Sequence, residues 1–194
     1  MKFITSTTIL ASVAAAAPAM VPSAPQQGVP FVIQVLREGS PLQGMAVSAA
    51  NGNLYLAKIG GDFKQDAVCK GRTTEEAFMY IYNGKLHLVG DADQQVAVQQ
   101  SSAAPGVINY AKMGGAATPS DSTTGDWAMG SEGQLQFKGE DLVACPSTAK
   151  PNAPYVVSTM KPGGLSPCGA GGNCISFKAT AGAVSDAPSC VYTQ

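Results

Sequence analysis

The sequence predicts an all-β fold in one compact domain, and three observations predict it. Apolar and polar residues alternate with a period of two along much of the chain, the signature of half-buried strands. Helical spacing is nearly absent, with Gln65 to Ala77 the single stretch that fits it, and Gly71 interrupts that stretch. Finally, 22 Gly and 13 Pro punctuate 194 residues, which suits short strands joined by tight turns. A chain of this length buries roughly 70% of its extended surface on folding, so one core suffices.

From the N-terminus, Met1-Lys2 gives a short basic start, Phe3 to Ala17 an apolar run, and Ala17-Pro18-Ala19 a small-residue site. That layout predicts a secretory signal peptide over residues 1–19. Its apolar core is too short and too diluted by Thr and Ser for a membrane span of about 20 residues. A Pro-rich segment occupies 20–28, and the all-β domain occupies 29–194. No second apolar stretch suggests a span, and no lipid-anchor tail is expected after Cys190. Export without an Asn-x-Ser/Thr sequon leaves Thr118 to Thr124 as the stretch suited to O-linked sugar.

About twelve short strands are expected, near 29–37, 53–58, 77–82, 85–89, 94–99, 106–111, 125–129, 134–138, 141–145, 154–158, 174–179 and 188–193. Phe31, Ile33 and Val35 share one face, as do Leu54 and Leu56, Leu86 and Leu88, Val96 and Val98, and Leu135 and Phe137. Phe78, Tyr80 and Tyr82 alternate with Met79 and Ile81, so that strand is core-like on both sides. Three units pair a turn with a following strand: Asn51-Gly52-Asn53-Leu54, Asn83-Gly84-Lys85-Leu86 and Glu132-Gly133-Gln134-Leu135. Asn-Gly favours the left-handed geometry of a two-residue hairpin. Repeated hairpins fit a β-trefoil-like closed barrel, with a β-sandwich as the alternative. Stretches 113–125 and 161–173 read as long surface loops.

Twelve basic residues against thirteen acidic ones leave a net charge of -1. Without a basic cluster, neither nucleic acid nor an anionic membrane is an expected partner. Cys69, Cys145, Cys168, Cys174 and Cys190 lack the paired spacing of a zinc site, and export makes them disulfide candidates. Five is odd, so two bridges leave one cysteine over. The pairing favoured by neighbouring strand-like segments is Cys69 with Cys145, plus one bridge among Cys168, Cys174 and Cys190.

Catalytic material is thin. His87 is the sole histidine, and its alternation against Leu86 and Leu88 points it outward to solvent, with Asp91 and Asp93 nearby. No nucleophile elbow accompanies it. Among Glu75, Glu76, Glu132, Glu140 and Asp141 no spacing singles out a glycosidase pair. Glu75 and Glu76 are adjacent and would face apart on a helix or a strand. The Gly-rich segment Cys168 to Cys174 lacks the Lys-Ser/Thr of a phosphate loop. No catalytic residue, metal or cofactor is assigned. Carbohydrate binding is the more serious idea: Tyr55 alternates away from Leu54 and Leu56, and Tyr110 and Trp127 lie in or beside turn-rich segments, where exposed rings stack on sugar C–H faces. Core packing is the competing role for each ring.

Several stretches carry a resemblance in order: Val35 to Leu42 (VLREGSPL), Asn51 to Leu56 (NGNLYL), Gln94 to Val98 (QQVAV), Leu142 to Pro146 (LVACP) and Pro154 to Val157 (PYVV). From about Phe31 to Cys190 the chain resembles the fungal secreted cell-wall proteins of the phialide-associated PhiA type. The resemblance implies a non-enzymatic protein of the fungal wall or culture fluid, associated with conidium-forming cells and sometimes recognised as an allergen. It carries over no catalytic residue. Wall polysaccharide is then the expected partner. The alternatives are a lectin-like module reading soluble sugars through aromatic loop residues, and a secreted protease inhibitor or effector presenting loops 113–125 and 161–173.

Overall fold

A computed structural model describes residues 25–70, 74–101, 105–112, 120–147, 153–160 and 173–193. The signal-peptide reading of 1–19, most of the two long loops and Cys168 lie outside them. Sixteen strands and no helix are found among the described residues. None of their segments is a helix long and apolar enough to cross a membrane.

Seven strands close a circuit: β1 (Phe31–Val35), β5 (Met79–Tyr82), β6 (Lys85–Leu88), β7 (Gln94–Gln99), β8 (Ile108–Lys112), β3 (Asn53–Lys58) and β2 (Met45–Ala50), which returns to β1. From β1 the sheet continues through β15 (Ala179–Ala183), β11 (Gln134–Phe137) and β10 (Trp127–Met129). From β3 it continues through β13 (Tyr155–Thr159), β12 (Leu142–Pro146) and β14 (Ile175–Phe177), while β9 (Ser122–Thr123) pairs with β7. A separate ribbon joins β4 (Ala67–Cys69) to β16 (Cys190–Tyr192).

Every junction in the circuit is antiparallel. Directions alternate around an antiparallel ring, so an odd ring cannot close unless strands cross steeply somewhere. The corners are visible: β1–β2, β1–β5 and β3–β8 each share one residue pair, whereas β2–β3 runs as a full ladder from Met45↔Lys58 to Ala50↔Asn53. Strands that cross steeply separate after one pairing, which is how a small barrel turns its corners.

The period-two faces supply the core. Phe31, Ile33, Val35, Leu54, Leu56, Leu86, Leu88, Val96, Val98, Leu135 and Phe137 are all buried in one cluster. Each contributes roughly 1.5–3 kcal/mol of burial. The hairpin turns follow their sequence: Asn51 and Gly52 have φ of 47° and 70°, and Asn83 and Gly84 have 50° and 72°. These are the paired positive φ values that a two-residue turn of this hand demands.

Two expectations need amendment. The stretch Gln65 to Ala77 is not a helix in its described part: Ala67–Cys69 is β4, pulled into the ribbon by its pairing with β16. Sixteen strands replace about twelve, because β2, β4, β9 and β15 come from segments with no clear alternation. The closed circuit is the barrel rather than the two-layer sandwich.

Candidate functional site

Strand β2 pairs with β1 only at Ala46. Beyond that point its edge is covered by the segment between β3 and β5: Asp66 N donates to Ala49 O at 3.2 Å and Ala77 N to Val47 O at 2.8 Å. The same segment is fastened by Ser48 Oγ donating to Glu75 O and by Asn51 N donating to Asp66 Oδ2 at 2.6 Å. Gln65 ties its two limbs together. Its Nε2 lies 2.9 Å from Thr74 O, 2.6 Å from Thr74 Oγ1 and 3.2 Å from Glu76 O. Gln34 on β1 reaches Glu76 Oε1 through its Nε2 at 3.1 Å.

Between these limbs and the outer face of β1 lies an open groove of about 780 Å³. Its apolar part includes Val32, Ile59 and Val184, and its polar part includes Lys64, Glu75 and Glu76. The Gly60 N–H donated to the Glu75 carboxylate, with Lys64 beside it at 3.6 Å, holds that carboxyl below the usual range despite its partial desolvation. Glu75 and Glu76 both line this groove although they are neighbours, because they sit in a bend, where side chains need not diverge as on a regular element. Within it they engage different partners, Glu75 the Gly60 N–H and Glu76 the Gln34 amide.

Tyr55 is half-buried, and its ring meets Phe63 at 5.0 Å with planes tilted by 46°. Phe63 also lines a second groove, of about 310 Å³, with Lys58, Asp62 and Pro154. Tyr110 and Trp127 are each only 2% exposed, so they offer no stacking face to a surface sugar. Tyr110 points inward in phase with Ile108, its hydroxyl 2.8 Å from Thr193 O and 3.2 Å from Asp66 Oδ1. Burial, then Asp66, raises its pKa. Trp127 packs on Phe137, its register partner, at 5.1 Å. Both rings are core, and of the three expected stacking residues only Tyr55 reaches solvent.

His87 is also displaced from expectation. It points away from Leu86 and Leu88, yet it is 6% exposed rather than solvated. Tyr80 flanks it across β5 and stacks on its ring at 4.8 Å and 13°, and Gln95 flanks it across β7. Its Nδ1 lies 3.2 Å from Asp93 Oδ1. Burial, with Asp93 nearby, raises the Tyr80 pKa. Asp91 turns elsewhere, to Lys70 at 2.8 Å and Ser189 Oγ at 2.5 Å, and both contacts keep its carboxyl low. Glu132 binds Lys178 at 2.6 Å and Asp141 accepts from Gln136 at 3.2 Å. The acidic residues are dispersed around the surface rather than gathered on the histidine.

Among the described residues two disulfides are present, Cys69–Cys190 and Cys145–Cys174, and they overturn the Cys69–Cys145 pairing. The strand register explains both. Cys69 stands opposite Cys190 in the ribbon, and Lys70 N donating to Ser189 O makes the cysteines the closer, non-hydrogen-bonded pair. Extending the β12–β14 register by one residue beyond Ala144↔Ile175 puts Cys145 opposite Cys174. Each bridge thus forms across a strand pair.

An all-β barrel braced by two disulfides defines a protein suited to an oxidising, extracellular setting. The chain belongs to the PhiA-like secreted protein family, which matches residues 31–193. It is a secreted protein, and its curated relatives are cell wall proteins. Cell wall protein phiA of Emericella nidulans is 30% identical over 192 residues, covering 98% of this chain and 99% of that one. The Aspergillus fumigatus protein of the same name is 31% identical over 193 residues, covering 98% and 99%. No solved structure matches the chain.

Proposed function

We propose that this protein is a non-enzymatic component of the fungal cell wall that adheres to wall polysaccharide. Its place would be the wall of conidium-forming cells, as the family resemblance implies. The observation that carries the adhesion is the Tyr55–Phe63 ring pair, half-buried at the surface and adjoining a groove. Rings fixed against each other present an apolar face without further ordering cost, which suits the C–H face of a pyranose. Export and a disulfide-braced barrel support residence outside the cell.

Retention on insoluble substrates tests the reading. The protein recovered from culture fluid is expected to sediment with insoluble β-glucan or chitin, and Tyr55→Ala should weaken retention several-fold while leaving the circular dichroism spectrum unchanged. Failure to sediment with either polymer removes the adhesive role.

A further inference from the structure

We infer that the groove between β1 and the segment preceding β5 is a saccharide subsite that takes a neutral, hydroxyl-rich chain. This rests on the adhesion proposed above and assigns it a place separate from Tyr55.

Three features of the groove point to that ligand class. It is preformed: the Gln65 amide ties the limb carrying Ile59 and Lys64 to the limb carrying Thr74 to Glu76, and Gln34 pins Glu76 to β1. Its volume of about 780 Å³ lies within the roughly 300–1,000 Å³ of ordinary ligand sites, and it is open to solvent, so a polymer can pass along it. Its lining is split between apolar and polar groups in the way a pyranose requires. Ile59 is 50% exposed, and with Val32 and Val184 it offers a surface for C–H groups. Glu75 and Glu76 offer carboxylate oxygens to hydroxyl donors, which form charge-assisted bonds roughly twice as strong as neutral ones.

The charges argue for a neutral chain. Glu75 is already opposed by Lys64 at 3.6 Å and by the Gly60 N–H, and Glu76 accepts from the Gln34 amide. Lys64 balances only one of the two carboxylates, because the Gln34 amide on Glu76 is neutral, so the lining keeps an excess of one negative charge together with free acceptor lone pairs. A polyanion would meet that excess carboxylate, and a chain with an ammonium on every residue would meet Lys64, whereas a neutral chain uses the acceptors without either repulsion.

The test is a titration of ¹⁵N-labelled protein with laminarihexaose, a β-1,3-glucan hexamer, alongside a glucosamine hexamer. Amide shifts are expected at Ile59, Ala67, Glu75 and Glu76 with the neutral hexamer, and Ile59→Asp should lower the apparent affinity at least tenfold. Ile59 is solvent-exposed, so the variant's own spectrum shows whether the fold survives. Shifts confined to Tyr55 and Phe63 would overturn the groove assignment while leaving wall adhesion standing. Shifts in the groove produced only by the glucosamine hexamer would overturn the neutral class. Absence of shifts together with loss of sedimentation on insoluble polymer would sink both.

Discussion

The side-chain amide of Gln94 pairs with the backbone of Tyr192 as a neighbouring strand would: its Nε2 donates to Tyr192 O at 2.7 Å and its Oε1 accepts from Tyr192 N at 3.3 Å. Gln94 is buried, and so is Tyr192. One side chain therefore satisfies both main-chain polar groups of a residue on the two-stranded ribbon, on the edge that faces away from β4. Replacement by an apolar residue of similar size, Gln94→Leu, strands a buried N–H and a buried C=O. The expected loss is about 2–4 kcal/mol, read as a lowered urea midpoint with an unchanged slope.

Tyr192 predicts an alkaline weakness. Burial pushes its phenol up to about 12, partly offset by the Phe78 N–H donated to the hydroxyl oxygen at 3.1 Å, whereas an unfolded tyrosine titrates near 10. A raised folded value means that the stability is present below pH 10 and is lost as pH rises from 10 towards 12. Two units correspond to about 3 kcal/mol. Urea midpoints measured promptly should fall between pH 9 and pH 11.5 in the parent, and Tyr192→Phe should reduce the fall, leaving the part due to the buried Tyr110. An equal fall in both would refute the assignment to this phenol.

The two disulfides are expected to differ in worth. Cys69–Cys190 closes a separation of 121 residues and Cys145–Cys174 one of 29. In the chain-entropy account those loops correspond to about 5 and about 3.5 kcal/mol. The double variant Cys69→Ala/Cys190→Ala should therefore lose more stability than Cys145→Ala/Cys174→Ala, as judged by thermal midpoints at one pH. The reverse order would show that native-state packing around the bridges outweighs loop length.

Trp127 and Tyr55 should separate folding from binding. Trp127→Ala empties a buried site against Phe137 and should cost about 3–5 kcal/mol without altering polysaccharide retention of whatever fraction folds. Tyr55→Ala at a half-exposed position should change stability far less and retention far more. Thermal melts and sedimentation of the same two preparations compare them directly.

The barrel was legible in the sequence wherever one face of a strand is buried and the other is not. Each of the twelve expected runs overlaps an observed strand, three of which extend one residue beyond it, and the two Asn-Gly turns fall where the left-handed pairs lie. Legibility failed at β2, whose sequence MAVSAA is buried on both faces and is built from weak strand formers, and at the Ala/Gly-rich β15. A strand packed on both sides has no reason to alternate. For Tyr110 the signal was present, since it keeps phase with Ile108 in β8. For His87 alternation indicated the outward direction but not the cover supplied by Tyr80. The groove was out of reach, because its walls come from a segment with no period and are joined through contacts such as Gln34 to Glu76, 42 residues apart.

The partner of Cys69 is the last cysteine in the chain. During vectorial export, Cys145, Cys168 and Cys174 all enter the lumen while Cys69 still waits. Oxidation that outpaces translocation would join Cys69 to an early arrival, and closure would then require thiol exchange after β16 emerges. Yield in a heterologous host should accordingly track the supply of disulfide isomerase more closely than the rate of synthesis.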